Sequence, residues 1–554
     1  MVSYYNTITQ NVAYGILLGR PSVASMLSFL VDPTSVVHGR ADRSVSAIVD
    51  TTNGRQCMSV NEPARDRTAP RSGFQSFRDW LASEGRLPAS DRPRRQQKVP
   101  QRKHPPGPNV LWLMADQLRA DTFGFAGHPF IKTPNLDRLA SQGMSLTRSY
   151  CASPVCMPSR ATTLTGHYLM RHGVIQNGYR MNESEVVFPT MIRENGYRTA
   201  NIGKVHCGRG PNQTWEFYEH VEDAFGATKP SKVPFDPGVY PELKFVADEV
   251  CDDSDHVLYG RYPGPVPTTK SYQLASRAMN WLYWNDDERP FFLRVSFDDP
   301  HPPVVPPEPY YSMYSPDQVP DELVEGVAES LAGKPQVIRD YYHHTHHDRV
   351  PMADHRKHAA AYCGLVSHLD AQMGRILDYL AELGWADNTI VVLNADHGHM
   401  IGEHGLTHKG GHVYEGVSRI PTIIRWPGHV RPGSRSDALM DGTDFMPTIL
   451  DMLGVGAPDK LPGRSMLPVL TGGADSVREH AFIQWDDYGF AVVGARYKLV
   501  WWDCDNDGEL YDLGDDPLEK VNLYHDPAHA GRRDELLGVL DEWRSQYARP
   551  RSEP

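Results

Sequence analysis

Hydrophobic and polar positions divide the chain at about residue 107. Before it, Ser, Arg, Asp and Pro are scattered with little periodicity, and the stretch ends in a basic, Gln-rich run from Arg92 to Arg102 and the linker His104-Pro105-Pro106-Gly107-Pro108. This pattern predicts a poorly ordered extension over residues 1–106. Then Asn109-Val110-Leu111-Trp112-Leu113-Met114-Ala115 begins abruptly. A continuous apolar run of strand length reads as a strand buried on both faces, hence a parallel sheet. Shorter runs recur at Arg198 to Gly203, Pro290 to Phe297 and Asn388 to Asn394. Helical periodicity lies between them, at Asn135 to Gln142 (with Asn135 as a cap), Ser159 to Thr165, Thr190 to Asn195, Tyr272 to Trp284 and Ala359 to Leu383. Alternation of this kind predicts an α/β fold, a large doubly wound mixed sheet flanked by helices over residues 107–435. Residues 207–270 and 302–355 are rich in Pro, Gly and Asp and read as long loops over one face of it. From 436 the texture changes to a helix at Asp444 to Leu453, short strands at Ala491 to Val493 and Tyr497 to Trp502, a hairpin turn at Asp507-Gly508, and a helix at Asp534 to Tyr547. These predict a smaller α+β subdomain over 436–546, with a tail at 547–554.

Polar residues cluster where the apolar runs stop. Asp116-Gln117, Lys204 with His206, His301, and Asp396-His397 each follow a predicted strand. In open α/β sheets the ligand site lies beyond the carboxyl ends of the strands. A single strand-end Asp is ordinarily a cap or turn former. Four strands delivering such groups to one edge make a site by convergence. Asp116, Gln117, Asp396 and His397 offer oxygens and one imidazole, a set suited to one divalent cation. Oxygen ligands favour Ca2+ or Mg2+ and His397 tilts the set toward Mn2+, with Ca2+ the first expectation and Mn2+ the alternative. Arg160, Lys204, His206, His301 and Lys409 are cationic or proton-bearing and suit an anion with general acid chemistry.

Cys156-Met157-Pro158-Ser159-Arg160 adds a cysteine placed just before a helix, since proline suits a first helical turn. Taken alone, Cys156 reads as a buried structural cysteine. Beside a metal set and an anion cradle it becomes a nucleophile candidate, and the combination implies transfer or hydrolysis of a sulfuryl or phosphoryl group.

Composition narrows the partners. The 554 residues carry a net charge of −13, which argues against bulk nucleic-acid binding. Seven cysteines, odd in number and without a Cys-x-x-Cys pair, show no disulfide framework. They point to a reduced, cytoplasmic setting. Residues 12–31 are interrupted by Arg20 and read as neither a signal peptide nor a membrane span. Homo-oligomerisation is left open. Asp503-Cys504-Asp505-Asn506-Asp507-Gly508 starts like a calcium loop, but its twelfth position is Gly514 and not Glu. The run His343-His344-Thr345-His346-His347 reads as a solvated loop.

Two stretches resemble a known family. Cys156-Met157-Pro158-Ser159-Arg160 with Leu164-Thr165-Gly166 is similar to the first signature of the type I, formylglycine-dependent sulfatases, and Gly196-Tyr197-Arg198-Thr199 with Gly203-Lys204-Val205-His206 to the second. Asp116-Gln117, His301, Asp396-His397-Gly398 and Lys409 fall in the family's order, over about 107–545. The resemblance implies an alkaline-phosphatase-like fold and hydrolysis of small-molecule or carbohydrate sulfate esters. It implies that a formylglycine-generating enzyme oxidises Cys156 to formylglycine, whose hydrate, held by the metal so that position 156 joins the metal set, attacks sulfur. Arg160 and Lys204 would steady that group and the ester oxygens, and His206 would assist expulsion of sulfate. His301 and Lys409 would bind the sulfate and protonate the leaving oxygen. Many sulfatases place Asp at the position of Gln117 and Asn at that of His397. Gln117, His397, Met170-Arg171-His172 and Gln176-Asn177 resemble the phosphonate monoester hydrolases of the same superfamily, which makes Asn177 an anion contact. Lys204 and His206 match the sulfatases.

Overall fold

The first apolar run forms a strand buried along its whole length. The computed structural model describes residues 107–221, 244–245, 257–324, 331–345 and 347–548. The extension predicted over 1–106 lies outside them, as does much of the 207–270 loop and most of the tail. Among the described residues, nine strands build one sheet. They are β1 (Asn109–Asp116), β2 (Met144–Tyr150), β3 (Arg198–Gly203), β4 (Phe217–Glu219), β5 (Phe291–Pro300), β6 (Thr389–Ala395), β7 (Arg419–Ile420), β8 (Thr422–Arg425) and β9 (Ser434–Met440). Their order is β7-β2-β8-β6-β1-β5-β3-β4, with β9 also paired to β2. The strands from β6 to β4 run parallel, whereas β8 is antiparallel to both β6 and β2. The sheet is therefore mixed, as expected.

Apolar burial dominates the central strands. Each fully buried Val, Leu or Ile contributes about 1.5–3 kcal/mol. One polar row crosses them, because Trp112 is level with Arg294 and Arg294 with Asn201. The Arg294 guanidinium lies over the rings of Trp112 and Trp215, at 5.3 and 4.8 Å, and its Nε donates to Asn201 Oδ1 at 2.6 Å. Burial and the nearby charge of Arg160 lower it to about 9.

Helices flank the sheet in two groups. In one, α1 (Pro134–Gln142) and α4 (Lys270–Trp284) pack on the long α5 (Met352–Glu382). In the other, α2 (Cys156–Thr165), α3 (Phe188–Glu194) and α6 (Phe445–Met452) pack together. Several boundaries differ from the sequence reading. Cys156 is the first residue of α2, not the residue before it, with Val155 in the capping place. Thr133 precedes Pro134 as the N-cap of α1, and the side chain of Asn135 instead bonds Asp370 of α5 at 2.8 Å. The 302–355 stretch is not all loop. Gln336–His344 is helical, so His343 and His344 lie on a helix, and His347 is buried with its Nε2 3.1 Å from Thr407 Oγ1.

The later part of the chain forms a four-stranded antiparallel sheet of β10 (Ala481–Trp485), β11 (Gly489–Val493), β12 (Tyr497–Trp502) and β13 (Asp507–Asp512), with α7 (Ala530–Tyr547) packed on it. Asp507-Gly508 is not the hairpin turn. Asp507 already pairs with Trp502, and residues 503–506 turn the chain, with Asn506 at φ 51°. The strand β9 crosses the 435/436 boundary and belongs to the large sheet. No helix among the described residues is long and apolar enough to cross a membrane.

Gly203 ends β3 with φ 101°, and a Cβ there would run into the carbonyl oxygen of Ser296 on β5. This close approach lets the Lys204 N–H reach the same carbonyl at 3.0 Å. Gly203→Ala is expected to cost about 1–3 kcal/mol, read as a lower denaturant midpoint at unchanged slope. An unaltered midpoint would show that the strand end has room to give.

Candidate active site

The carboxyl ends of β1, β3, β5 and β6 converge on the first turn of α2. Each strand is buried along most of its length, so the polar groups at and just beyond its carboxyl end gather at this one edge. Asp116 closes β1 and Asp396 follows β6, and both are fully buried. Between them lies Arg160. Its Nε donates to Asp396 Oδ2 at 2.6 Å and its Nη2 to Asp116 Oδ2 at 3.1 Å, while Nη1 donates to Ser296 Oγ and to the carbonyl of Lys204. Arg160 thus binds the two carboxylates, where the sequence reading had it steadying the nucleophile. Lys204 adds an ion pair to Asp116 Oδ2 at 2.5 Å.

Burial and the Cys156 thiolate oppose ionisation of Asp116. Lys204, His301 and Arg160 outweigh them and hold its carboxyl below the usual range. Burial likewise works against the charge on Lys204, and Asp116 and Cys156 overcome it and raise the amine above the ordinary lysine range.

Cys156 sits at the centre and is 1% exposed. Its Sγ lies 2.8 Å from Lys409 Nζ, 3.2 Å from His397 Nε2 and 3.5 Å from Asp116 Oδ1. Burial opposes the thiolate, but Lys204, Lys409, His397 and a hydrogen bond with His206 pull the thiol well below its usual range. The pocket therefore favours negative charge at this position. Lys409 Nζ also meets His301 Nε2 at 2.9 Å, and His301 Nδ1 faces the carbonyl of Pro302 at 2.7 Å. Burial keeps His206 below the ordinary imidazole range despite its bond to Cys156. Asn177 is tied to the first turn of α2, its Oδ1 accepting from the Met157 N–H at 3.1 Å.

Asp116, Cys156, Asp396 and His397 present ligand atoms that all lie within 4.8 Å of one another. Gln117 joins this group through its N–H, which donates to Asp396 Oδ1 at 3.0 Å, and its buried Oε1 makes no hydrogen bond. Two carboxylates and an imidazole, with an unsatisfied amide oxygen on a residue whose N–H bonds Asp396, fit a hard divalent cation. Burial opposes the charged form of His397, yet Asp396 and Cys156 raise it, and a cation would neutralise the same negative charge. Three contributors escaped the sequence reading. Ser296 receives Arg160, Tyr362 donates to the Gln117 carbonyl at 2.8 Å, and His399 Nδ1 meets Gln117 Nε2 at 2.6 Å. Of these, His399 carried a signal, as the second histidine of Asp396-His397-Gly398-His399.

A buried nucleophile candidate, a cation set and a cradle of lysines and histidines at the carboxyl edge of a mixed sheet define a hydrolase of the alkaline-phosphatase-like class. Residues 108–455 match the sulfatase family model, and residues 402–546 match the C-terminal model of N-sulphoglucosamine sulphohydrolase. The chain belongs to the sulfatase family, the sulfuric ester hydrolases of the alkaline phosphatase superfamily. It is 30% identical over 465 residues to an arylsulfatase of Clostridium perfringens, covering 78% of this chain and 93% of that one. It is 29% identical over 498 residues to the multifunctional alkaline phosphatase superfamily protein PehA of Trinickia caryophylli, covering 79% and 96%. The crystal structure of the phosphonate monoester hydrolase of Agrobacterium radiobacter superposes with a TM-score of 0.69 at 25% identity, covering 79% and 96%.

Proposed function

We propose that the protein hydrolyses aryl or carbohydrate sulfate esters through Cys156 oxidised to formylglycine. One observation carries this reading. The Cys156 Sγ stands where the oxygens of a hydrated formylglycine would lie, buried and within reach of Lys409, His397 and Asp116. A divalent cation, calcium first and manganese as the alternative, would be held by Asp116, Gln117, Asp396 and His397. When bound it would supply positive charge that favours the ionised nucleophile and the sulfate oxygens.

The chain's own residues divide the remaining work. Arg160 helps to keep Asp116 ionised and holds it in line with Asp396. Lys204 and Lys409 face the site from two sides and bind the sulfate oxygens. His301, in contact with Lys409 Nζ, passes a proton to the leaving oxygen. His206, bonded to Cys156, takes a proton from the formylglycine hydroxyl when sulfate leaves. Oxidation of Cys156 requires a formylglycine-generating enzyme or an equivalent system in the producing cell.

A second reading, phosphonate ester hydrolysis, is favoured by Gln117 and His397 and by the resemblance to the phosphonate monoester hydrolase fold. The two are separated by assaying p-nitrophenyl sulfate and a phenyl phosphonate ester on one preparation. Sulfate is expected to win in kcat/KM by about tenfold or more, about 1.4 kcal/mol in the transition state. A preference for the phosphonate reverses the ranking. Peptide mass spectrometry across Cys156 checks the modification, and a plain thiol in the native host counts against it.

A further inference from the structure

Next to Gln117, three imidazoles meet that the hydrolytic chemistry does not use. His358 comes from α5, His399 follows His397 by two residues, and His408 immediately precedes Lys409. Their ring centroids are 5.1, 5.5 and 5.7 Å apart, and Tyr362 stacks on His399 at 4.8 Å. One nitrogen from each lies within 4.8 Å of the others. His399 Nε2 and His358 Nε2 are already 3.2 Å apart. Neither nitrogen of His408 makes a hydrogen bond, nor does Nδ1 of His358, although all three atoms are buried. An unsatisfied buried polar group costs about 1–3 kcal/mol, so leaving several together is expensive.

Coordination chemistry accounts for the cluster. Two nitrogens at about 2.0–2.1 Å from a tetrahedral zinc ion stand about 3.3 Å apart, close to the His358–His399 separation. His408, with both nitrogens uncommitted, can turn to complete three sides. Three imidazoles without a carboxylate suit zinc, cobalt, nickel or copper and are poor ligands for calcium or magnesium. A metal-ligating histidine normally passes its other ring N–H to an oxygen. His399 Nδ1 faces the amide of Gln117 at 2.6 Å, and the Oε1 of that amide has no hydrogen bond. A half-turn of the amide, which only exchanges its N and O, presents that oxygen to Nδ1–H.

We infer that His358, His399 and His408 form a second metal site, separate from the Asp116 group, for a first-row transition ion of zinc type, with its fourth position open.

The probe is cobalt(II), added alone to the full-length protein in excess calcium. One equivalent is expected to produce the intense visible bands of a tetrahedral cobalt centre, and one equivalent of zinc is expected to abolish them. His358→Gln and His408→Ala should each lose the bands at one equivalent, with the far-UV circular dichroism of the parent. His344→Ala, on the exposed part of the neighbouring helix, should keep them. Two results overturn the assignment. One is the absence of tetrahedral bands in the parent. The other is their survival in both His358→Gln and His408→Ala together with their loss in Cys156→Ser, which would place cobalt in the Asp116 group. X-ray absorption on the cobalt form, expected to show three imidazoles and no sulfur, decides the matter if either variant fails to fold.

Discussion

Replacing Cys156 by alanine is expected to lower turnover of an aryl sulfate by more than about 10⁴-fold, because loss of a nucleophile typically removes most of the rate enhancement. The fold should survive. Alanine is the best helix former, position 156 opens a helix, and the deletion removes a single atom from a buried place. Lys409 loses its contact with Sγ but keeps His301 Nε2 at 2.9 Å, so no lysine is left stranded. Kinetics and thermal unfolding on the same sample check both halves. Turnover within about tenfold of the parent would refute the nucleophile assignment.

Arg160→Met should act on the opposite quantity. Asp116 and Asp396 are both fully buried and share this one guanidinium. Breaking a buried ion pair from one side costs about 3–5 kcal/mol, chiefly because the partner charge is left uncompensated. Lys204 would still serve Asp116, at 2.5 Å, and Asp396 would bear most of the loss. Guanidinium unfolding in a chelator is the measurement. Added calcium, the ion proposed for the same carboxylates, is expected to restore part of the deficit, since a ligand that binds only the folded state stabilises it. A loss under about 1 kcal/mol in chelator would show that Arg160 is dispensable to the carboxylates.

Much of this site was legible because of where apolar runs end. Asp116 and Asp396 terminate stretches in which every residue is buried, and such runs mark their own carboxyl ends. The strands β2, β8 and β9 were missed for the complementary reason. Met-Ser-Leu-Thr-Arg-Ser-Tyr of β2 mixes polar residues into a partly exposed strand, β8 is four residues long, and the first four residues of β9 are not buried. Tertiary pairing, not local pattern, makes them strands. The direction of Arg160 was also out of reach. The resemblance set it beside the formylglycine, and only the folded helix shows its guanidinium bonded to the Asp396 and Asp116 carboxylates. The histidine cluster was hidden because its members lie on α5 and on two separate short segments, and only packing brings His358 to His399.

The burial of Cys156 also sets a timetable for biosynthesis. The folded chain offers an oxidising enzyme only a side chain that is 1% exposed at the start of a helix. The lysine that closes over the sulfur lies 253 residues further along the chain. At ribosomal speeds of about 5–20 residues per second, those residues take roughly 10–50 s to appear. On the proposed formylglycine route, maturation would be a race between the oxidising enzyme and the ribosome. A host that translates quickly and oxidises slowly would then accumulate folded protein with a plain thiol, and slowing translation is expected to raise the oxidised fraction.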